Sequence, residues 1–313
     1  MKIAFIGGGN MAAALISGLA GKLTAGADIH VVDPNAAALE KLRAQFGVTT
    51  SAALPGAPHA PDAGVAASEA AASAAVATAA AYQAVASADV IVLAVKPQSM
   101  REVAEQLRPL LPLQAGVADG NGTGTGTGPL LVSIAAGIRA ADLSRWLGGY
   151  GAIVRCMPNT PALIGMGVTG MAASAGVSAQ QRQQADAIMK AVGGTVWLDD
   201  EGKIDAVTAV SGSGPAYVFY FIEAMQKAAE ELGLSAQQGK ELALATFTGA
   251  AQLAAQSDEP VSLLRERVTS KGGTTYAALT SMAQDGVAEA IGRAMKAAAA
   301  RGQELGREFG GAD

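Results

Sequence analysis

The stretch KIAFI at residues 2–6 runs directly into GGGNMA at residues 7–12, and this junction decides the fold. A strand-like run precedes the glycines. An apolar stripe with helical spacing follows them, formed by Met11, Leu15 and Leu19. A strand, a glycine turn and a helix in this order form the dinucleotide-binding fingerprint G-x-G-x-x-A. Gly7 then permits the tight turn, Gly9 lets a pyrophosphate approach the backbone, and Ala12 lets the helix pack closely on the strand.

Composition narrows the class of protein. The chain has 313 residues, enough for two domains. Its net charge is −5 and it has no basic cluster, which argues against nucleic acid or a membrane as a partner. No apolar stretch approaches the roughly 20 residues of a membrane-spanning helix. The N-terminus resembles a first strand rather than a signal peptide, and the single cysteine, Cys156, suits a buried thiol. We therefore expect a cytoplasmic protein.

The two histidines do not predict a metal or base site. His30 lies in the second predicted strand, and His59 lies in a segment rich in proline and alanine. Neither has a carboxylate or a second histidine at metal-ligand spacing. We expect no metal site, and a dehydrogenase that relies on a histidine base is disfavoured.

The order of predicted elements indicates an α/β domain followed by a helical one. Continuous apolar runs predict buried parallel strands, with helical segments between them. These runs cover residues 28–32, 89–95, 130–134 and 153–156. Beyond about residue 200 the patterns are helical, over residues 214–232, 236–256, 261–268, 274–284 and 287–307. We place the domains at 1–201 and 202–313, with low-complexity insertions at about 52–86 and 114–129, the first helical over about 65–86.

Polar residues follow three of these strands, at the sheet edge where ligands of this fold bind. Asp33 ends the second strand, where an acid accepts hydrogen bonds from the ribose hydroxyls of NADH and repels the 2′-phosphate of NADPH. A simple turn and helix cap is the alternative. Lys96, in Ala94-Val95-Lys96-Pro97, faces a phosphate or the ribose, or is a solvated lysine that leads into a helix. Asn159, in Met157-Pro158-Asn159-Thr160-Pro161, lies in a rigid loop suited to positioning a nicotinamide or a substrate, with a stiff connection as the alternative.

Two glycine-rich segments precede helices in the second half. They are Ser211-Gly212-Ser213-Gly214-Pro215-Ala216-Tyr217 and Ser270-Lys271-Gly272-Gly273-Thr274-Thr275. Free backbone N–H groups at a helix start form a ready site for a carboxylate, although each segment also makes a good helix cap. The apolar faces of the helices that follow exceed what one small bundle needs, so we expect some of them to pack against another subunit.

Taken in order, these motifs resemble the pyrroline-5-carboxylate reductase family. The resemblance also includes Ser133-Ile134-Ala135-Ala136-Gly137, and it covers nearly all of the chain outside the two insertions. It implies a Rossmann domain followed by a helical dimerisation domain, with dimers that assemble further, for example into decamers. It also implies reduction of 1-pyrroline-5-carboxylate to L-proline by NADH or NADPH, with Asp33 favouring NADH.

The resemblance assigns roles to individual residues. Thr275 and Ser211 are the candidate catalytic residues. The candidate substrate-binding residues are Gly272, Gly273, Thr274, Thr275 and Ser213. The candidate cofactor-binding residues are Ile6, Gly7, Gly8, Gly9, Asn10, Met11, Asp33, Ala94, Val95, Lys96, Pro97, Ala135, Ala136 and Asn159. Hydride transfer to a protonated imine needs no strong base, which fits a chain without a well-placed histidine.

Three positions depart from the family pattern. Lys271 replaces a common proline before the two glycines. Ala81 falls about where an asparagine often lies near the adenine ribose, and Asp33 stands where many relatives have a small polar or basic residue. Two other functions stay open at this point. One is a different two-domain reductase of imines or β-hydroxy acids, with Lys227 or Lys240 as its acid, and the other is a dinucleotide sensor without turnover.

Overall fold

The computed structural model describes residues 1–54, 79–112 and 128–311. The chain forms two compact units. The first contains Met1–Gly212 and the C-terminal residues from Ala299 onward, and the second contains Ser213–Ala298. The predicted domain boundary, after residue 201, lies before the point at which these units divide.

The first unit is built on one eight-stranded sheet. Its strands are β1 (Ile3–Ile6), β2 (Ile29–Val32), β3 (Thr49–Ser51), β4 (Val90–Leu93), β5 (Leu130–Ser133), β6 (Ile153–Met157), β7 (Gly167–Ala173) and β8 (Gly193–Trp197). They lie in the order β3-β2-β1-β4-β5-β6-β7-β8. All neighbours are parallel except β6 and β7, which are antiparallel. The chain adds β2 and β3 on one side of β1 and then crosses to add β4 on the other side. This reversal of strand order between β1 and β4 is a switch point, where the fold leaves a crevice for a ligand.

The central strands are buried on both faces. Every residue of β1, β2, β4 and β5 is buried, which explains the continuous apolar runs in the sequence. Alternate side chains enter two separate cores. Phe5 and Val92 belong to one core, whereas Ala4 and Ile91 belong to the other. Helices must therefore cover both faces of the sheet.

The helices of the first unit connect its strands. They are α1 (Asn10–Leu19), α2 (Ala36–Phe46), α3 (Met100–Leu107), α4 (Ala140–Trp146), α5 (Ala179–Lys190) and α6 (Ile204–Val207). Residues 79–86 are also helical. Capping residues in the sequence set the ends of several of these helices. The Asn35 side chain caps α2, Gly47 ends it in the left-handed conformation, and Ser178 with Gln181 forms a capping box on α5.

The second unit consists of helices alone. It contains α7 (Gly214–Glu231), α8 (Ala236–Ala255), α9 (Val261–Arg267), α10 (Thr274–Gln284) and the first part of α11 (Val287–Gly310), whose later residues belong to the first unit. Within Ser213–Ala298 only three residues are buried, Ile222, Gly239 and Ala243. Large apolar side chains such as Phe219, Tyr220 and Leu253 are exposed on it. This unit has little core of its own.

The structure confirms the predicted α/β class with its helical second half. The sequence patterns missed β3, β7 and β8. Parts of both predicted insertions, residues 55–78 and 113–127, lie outside the described residues, as does His59. In the described part of the chain, no helix is both long enough and apolar enough to cross a membrane.

Candidate active site

The glycine turn after β1 is held against the end of β4. Gly7 has a φ of 106°, a conformation that favours glycine. A Cβ atom at Gly7 would lie 2.7 Å from the carbonyl carbon of Ala94, so only glycine fits between the two strands. The Gly7 N–H donates to the Val32 carbonyl at 2.8 Å, which also ties the turn to β2. The turn thus sits at the switch point of the sheet.

The start of α1 fits an anionic group. Gly9 precedes the helix without a side-chain cap, and the first turn contains no acidic residue. The space around a Cβ atom at Gly9 is open to 4 Å. The first intrahelical hydrogen bond near this end joins the Ala13 N–H to the Gly9 carbonyl, so the N–H groups of Asn10, Met11 and Ala12 have no partner within the helix. A pyrophosphate would find free donors and a positive helix end here.

Asp33 lies directly beside the turn. Its Oδ2 accepts from the Gly8 N–H at 2.6 Å, and its Oδ1 accepts from the Asn35 N–H at 2.8 Å. The carboxylate therefore anchors the glycine turn and the start of α2 at once. Each oxygen keeps a second lone pair, so the predicted bond to a ribose hydroxyl is compatible with these contacts.

Two more predicted segments lie at the same edge. Ala94–Pro97 follows β4, with the Lys96 side chain exposed, and Ala135–Ala136 follows β5. The Ile134 N–H donates to the Leu93 carbonyl at 3.1 Å, which fixes the second segment to the end of β4. Because all these strands are parallel, their carboxyl ends meet and bring the predicted cofactor residues together.

Asn159 joins three segments. Its Nδ2 donates to the Ser211 carbonyl at 3.1 Å, and its Oδ1 accepts from the Val168 N–H at 2.9 Å. The side chain is buried. Ser211 belongs to a π-helical turn, Thr208–Gly212, and its hydroxyl donates to the Val207 carbonyl at 3.0 Å. Asn159 thus holds the backbone of the turn that carries Ser211.

The predicted substrate loop lies in the second unit, at the start of α10. Gly272 has a φ of 74°, and a Cβ atom at Gly273 would lie 2.5 Å from the Ser270 hydroxyl oxygen. The φ of Gly272 favours glycine, whereas a side chain at position 273 would require the Ser270 hydroxyl to move. No side chain caps α10 and no acid lies in its first turn, so its first N–H groups are free to bind an anion. Thr275 is half-buried and Thr274 is exposed.

Ser213 occupies the corresponding position at the start of α7. Pro215 stands in the first turn, as expected, but the Ser213 side chain makes no capping hydrogen bond. Ser213 belongs to the second unit and Ser211 to the first. The predicted cofactor residues thus lie in the first unit, and all five predicted substrate residues lie in the second.

An ionic cluster that lies within the first unit was not predicted from the sequence. Arg155 on β6 has a side chain only 5% exposed, and its guanidinium donates to Glu201 Oε1 at 3.1 Å and lies 4.0 Å from Asp205 Oδ1. Glu201 Oε1 also accepts from the Ala140 N–H at 2.8 Å. Burial raises the pKa of the Asp205 carboxyl, and the charge of Arg155 opposes that shift. The signal in the sequence was an arginine inside an apolar strand.

Neither the cysteine nor the possible metal ligands among the described residues add a reactive group to the site. Cys156 is buried, and burial raises the pKa of its thiol, so it is not a nucleophile. In the described ranges, no group of three histidine, cysteine or acidic residues could hold a metal ion.

Comparison with known proteins decides the family. The chain is 43% identical to the pyrroline-5-carboxylate reductase of Pseudomonas aeruginosa, over 99% of this chain and 98% of the relative. It is 39% identical to the enzyme of the same name from Haemophilus influenzae, over 97% of both chains. This chain belongs to the pyrroline-5-carboxylate reductase family. The predicted family and its class, an NAD(P)H-dependent oxidoreductase, are confirmed.

Solved structures and domain families agree with this assignment. A pyrroline-5-carboxylate reductase from Coxiella burnetii superposes with a TM-score of 0.79 at 33% identity, covering 98% of both chains. The pyrroline carboxylate reductase of Plasmodium falciparum, solved with NADP bound, gives 0.76 at 25% identity with the same coverage. Residues 201–305 match the family described as pyrroline-5-carboxylate reductase dimerisation, which supports homo-oligomerisation. Residues 2–115 match the family described as NADP oxidoreductase coenzyme F420-dependent.

Proposed function

We propose that this protein reduces the C=N bond of 1-pyrroline-5-carboxylate to give L-proline, with a nicotinamide dinucleotide as the hydride donor. The observation that carries the proposal is the pair of uncapped helix starts. One follows the glycine turn after β1, and the other follows Gly272 and Gly273. Each offers free backbone donors to an anion, a pyrophosphate at the first and a small carboxylate at the second.

The cofactor residues are proposed as a group around the switch point of the sheet. The backbone N–H groups of Gly9, Asn10 and Met11 would hold the pyrophosphate, and Asp33, which binds the Gly8 N–H, would hold the adenine ribose. Ala94–Pro97 and Ala135–Ala136 would line the path to the nicotinamide. When bound, the cofactor supplies the hydride that reduces the imine carbon.

The substrate residues act by position rather than by strong acid or base chemistry. The N–H groups of Thr274 and Thr275 would bind the substrate carboxylate, with the cation of Lys271 next to them. The Thr275 hydroxyl would hold the proton on the ring nitrogen, and Ser211 would assist as a second hydroxyl. The protonated imine is already electrophilic, so holding it next to the hydride donor provides most of the rate enhancement.

The first test is steady-state kinetics with pyrroline-5-carboxylate. We expect the purified protein to oxidise NADH or NADPH only when this substrate is added. We also expect Thr275→Ala to lower kcat/KM by roughly 10²-fold, because the ring nitrogen loses its partner. Ser281→Ala, a hydroxyl deletion on the same helix, serves as the matched control. Absence of turnover by the wild type would refute the proposal.

The same assay decides the cofactor. Asp33 leads us to propose a preference for NADH, because its carboxylate would repel a 2′-phosphate. The expected result is a higher kcat/KM for NADH than for NADPH. A kcat/KM at least about tenfold higher for NADPH would show that the charge of Asp33 does not control the choice.

We also propose that the second unit forms a homodimer, with dimers assembling into a larger ring such as a decamer. Its exposed apolar side chains support this proposal. Three of them, Tyr276, Met282 and Ile291, line a groove of about 960 Å³. A second copy of the same unit would bury these residues.

A further inference from the structure

The segment between β8 and the second unit is fixed to β6 at two points. At its beginning, Glu201 binds the buried guanidinium of Arg155. At its end, the Ser211 carbonyl binds the Asn159 side chain, which lies just after β6. The segment Glu201–Gly212 therefore cannot shift along the sheet without breaking one of these contacts.

The Arg155 contact also reaches the loop after β5. The same oxygen, Glu201 Oε1, accepts from the Ala140 N–H at the start of α4. Ala140 closely follows Ala135–Ala136, the segment proposed to line the nicotinamide path. One carboxylate oxygen thus links the loop proposed for the cofactor to the segment that carries Ser211.

The Arg155 side chain at the centre of the cluster is buried and makes few hydrogen bonds. The Nε of Arg155 is buried without a hydrogen-bond partner in the described part of the chain. Asp205, 4.0 Å from Arg155, lies beside Gly302 on α11, where a Cβ atom would come within 3.2 Å of its Oδ1. An arginine with so few partners depends on Glu201 to hold its orientation.

We propose that Arg155 and Glu201 are positioning residues for the reduction, and that they act by fixing the Ser211 turn relative to the loop before α4. This inference rests on the proposed function. Neither side chain is among the residues proposed to contact the substrate. The pair sets where Ser211 stands, so its loss displaces a hydroxyl proposed to act on the substrate while leaving the glycine turn intact.

The experiment compares two substitutions of one residue in the full-length protein. Glu201→Gln keeps an oxygen that can accept from both Arg155 and Ala140, whereas Glu201→Ala removes it. We expect Glu201→Ala to lower kcat about tenfold, because a small displacement of a reacting group is costly, while the Kd for the preferred cofactor stays within about threefold of the wild type. Glu201→Gln should restore most of kcat.

The matched control is Asp199→Asn. Asp199 lies two residues before Glu201 and pairs with Lys203 in an exposed contact that does not involve Arg155. It should leave kcat and the cofactor Kd unchanged. Circular dichroism and size-exclusion chromatography establish that each variant folds and associates. If Glu201→Ala does not fold, Arg155→Lys replaces it with the same criteria, since one ammonium cannot reproduce the guanidinium contacts.

Two results would overturn the proposal. One is an unchanged kcat in the folded variant that lacks the contact. The other is a loss of kcat matched by an equal loss of cofactor affinity, which would indicate a general disturbance of the first unit. These outcomes differ from failure of the proposed function, which would appear as absence of turnover in the wild-type protein.

Discussion

Asp33 shows how one carboxylate can serve structure and recognition together. It accepts from the Gly8 N–H in the glycine turn and from the Asn35 N–H before α2. The sequence left two interpretations open, a ribose ligand and a helix cap. The structure shows Asp33 in the turn before α2, with Asn35 as the cap, and the proposed ribose contact uses the remaining lone pairs of Asp33.

Asp33→Asn tests the charge of this residue. The amide oxygen keeps one acceptor for the backbone but loses the negative charge, so a 2′-phosphate is no longer repelled. We expect the ratio of kcat/KM for NADH to that for NADPH to fall about tenfold. Glu40→Gln, which removes one exposed charge on α2, should leave this ratio unchanged. An unaltered ratio in Asp33→Asn would contradict the proposed charge effect.

At the scale of single elements, the outer strands show where sequence patterns fail. β7 begins with glycine and contains another at Gly170, which argues against a strand. The structure explains that glycine, because a Cβ atom there would lie 2.6 Å from Val207 Cγ1 on α6. A contact between residues so far apart in sequence leaves no local pattern. The buried central strands, by contrast, carry their apolar signature in every residue.

Gly170→Ala should destabilise the first unit. The added methyl group collides with Val207, and overpacking of this kind costs about 1–3 kcal/mol. Gly194→Ala on β8 is the control, because the space there is open to 4 Å. Denaturant unfolding of both variants measures the difference. Equal stability of the two variants would show that α6 moves aside without cost.

His30 ties β2 to the edge strand β3. Its ring nitrogens lie 2.9 Å from the Thr49 and Ser51 hydroxyl oxygens, and burial lowers the pKa of the imidazole below its ordinary value of 6.5. The unfolded chain therefore binds the proton more readily than the folded one. The contribution of His30 to stability is complete above pH 6.5 and declines as the pH falls below it.

This linkage can be measured by comparing two histidine variants. The free energy of unfolding of the wild type should fall between pH 7.5 and pH 5, with His30 contributing at most about 1.4 kcal/mol per pH unit. His30→Asn should remove that part of the slope, whereas His59→Asn should retain it. Parallel pH profiles for the wild type and His30→Asn would rule out a role for His30.

At the scale of the whole molecule, the second unit is incomplete alone. Ser213–Ala298 buries only Ile222, Gly239 and Ala243, and its large apolar residues face outward. The match to the dimerisation family covers this region. Its sequence predicts the helices well, because amphipathic spacing is local, and we propose that their packing is completed by a second copy.

Phe219→Asp tests that dependence. Phe219 on α7 is 66% exposed in the single chain, and a charge there would be buried without a partner in a dimer. We expect sedimentation velocity to show smaller species and thermal unfolding to begin at a lower temperature. Lys41→Glu, a charge change on α2 of the first unit, should leave the assembly intact. An unaltered sedimentation profile of Phe219→Asp would place the interface elsewhere.

The sequence by itself determined the glycine turn, the buried parallel strands, the helical second half and the family. These features depend on local patterns or on motifs that lie in a fixed order along the chain. Only the tertiary structure decided the outer strands β7 and β8, the double contact of Asp33, and the cluster of Arg155, Glu201 and Asp205. Each of these joins residues distant in sequence, and their contacts exist only after the sheet has brought the segments together.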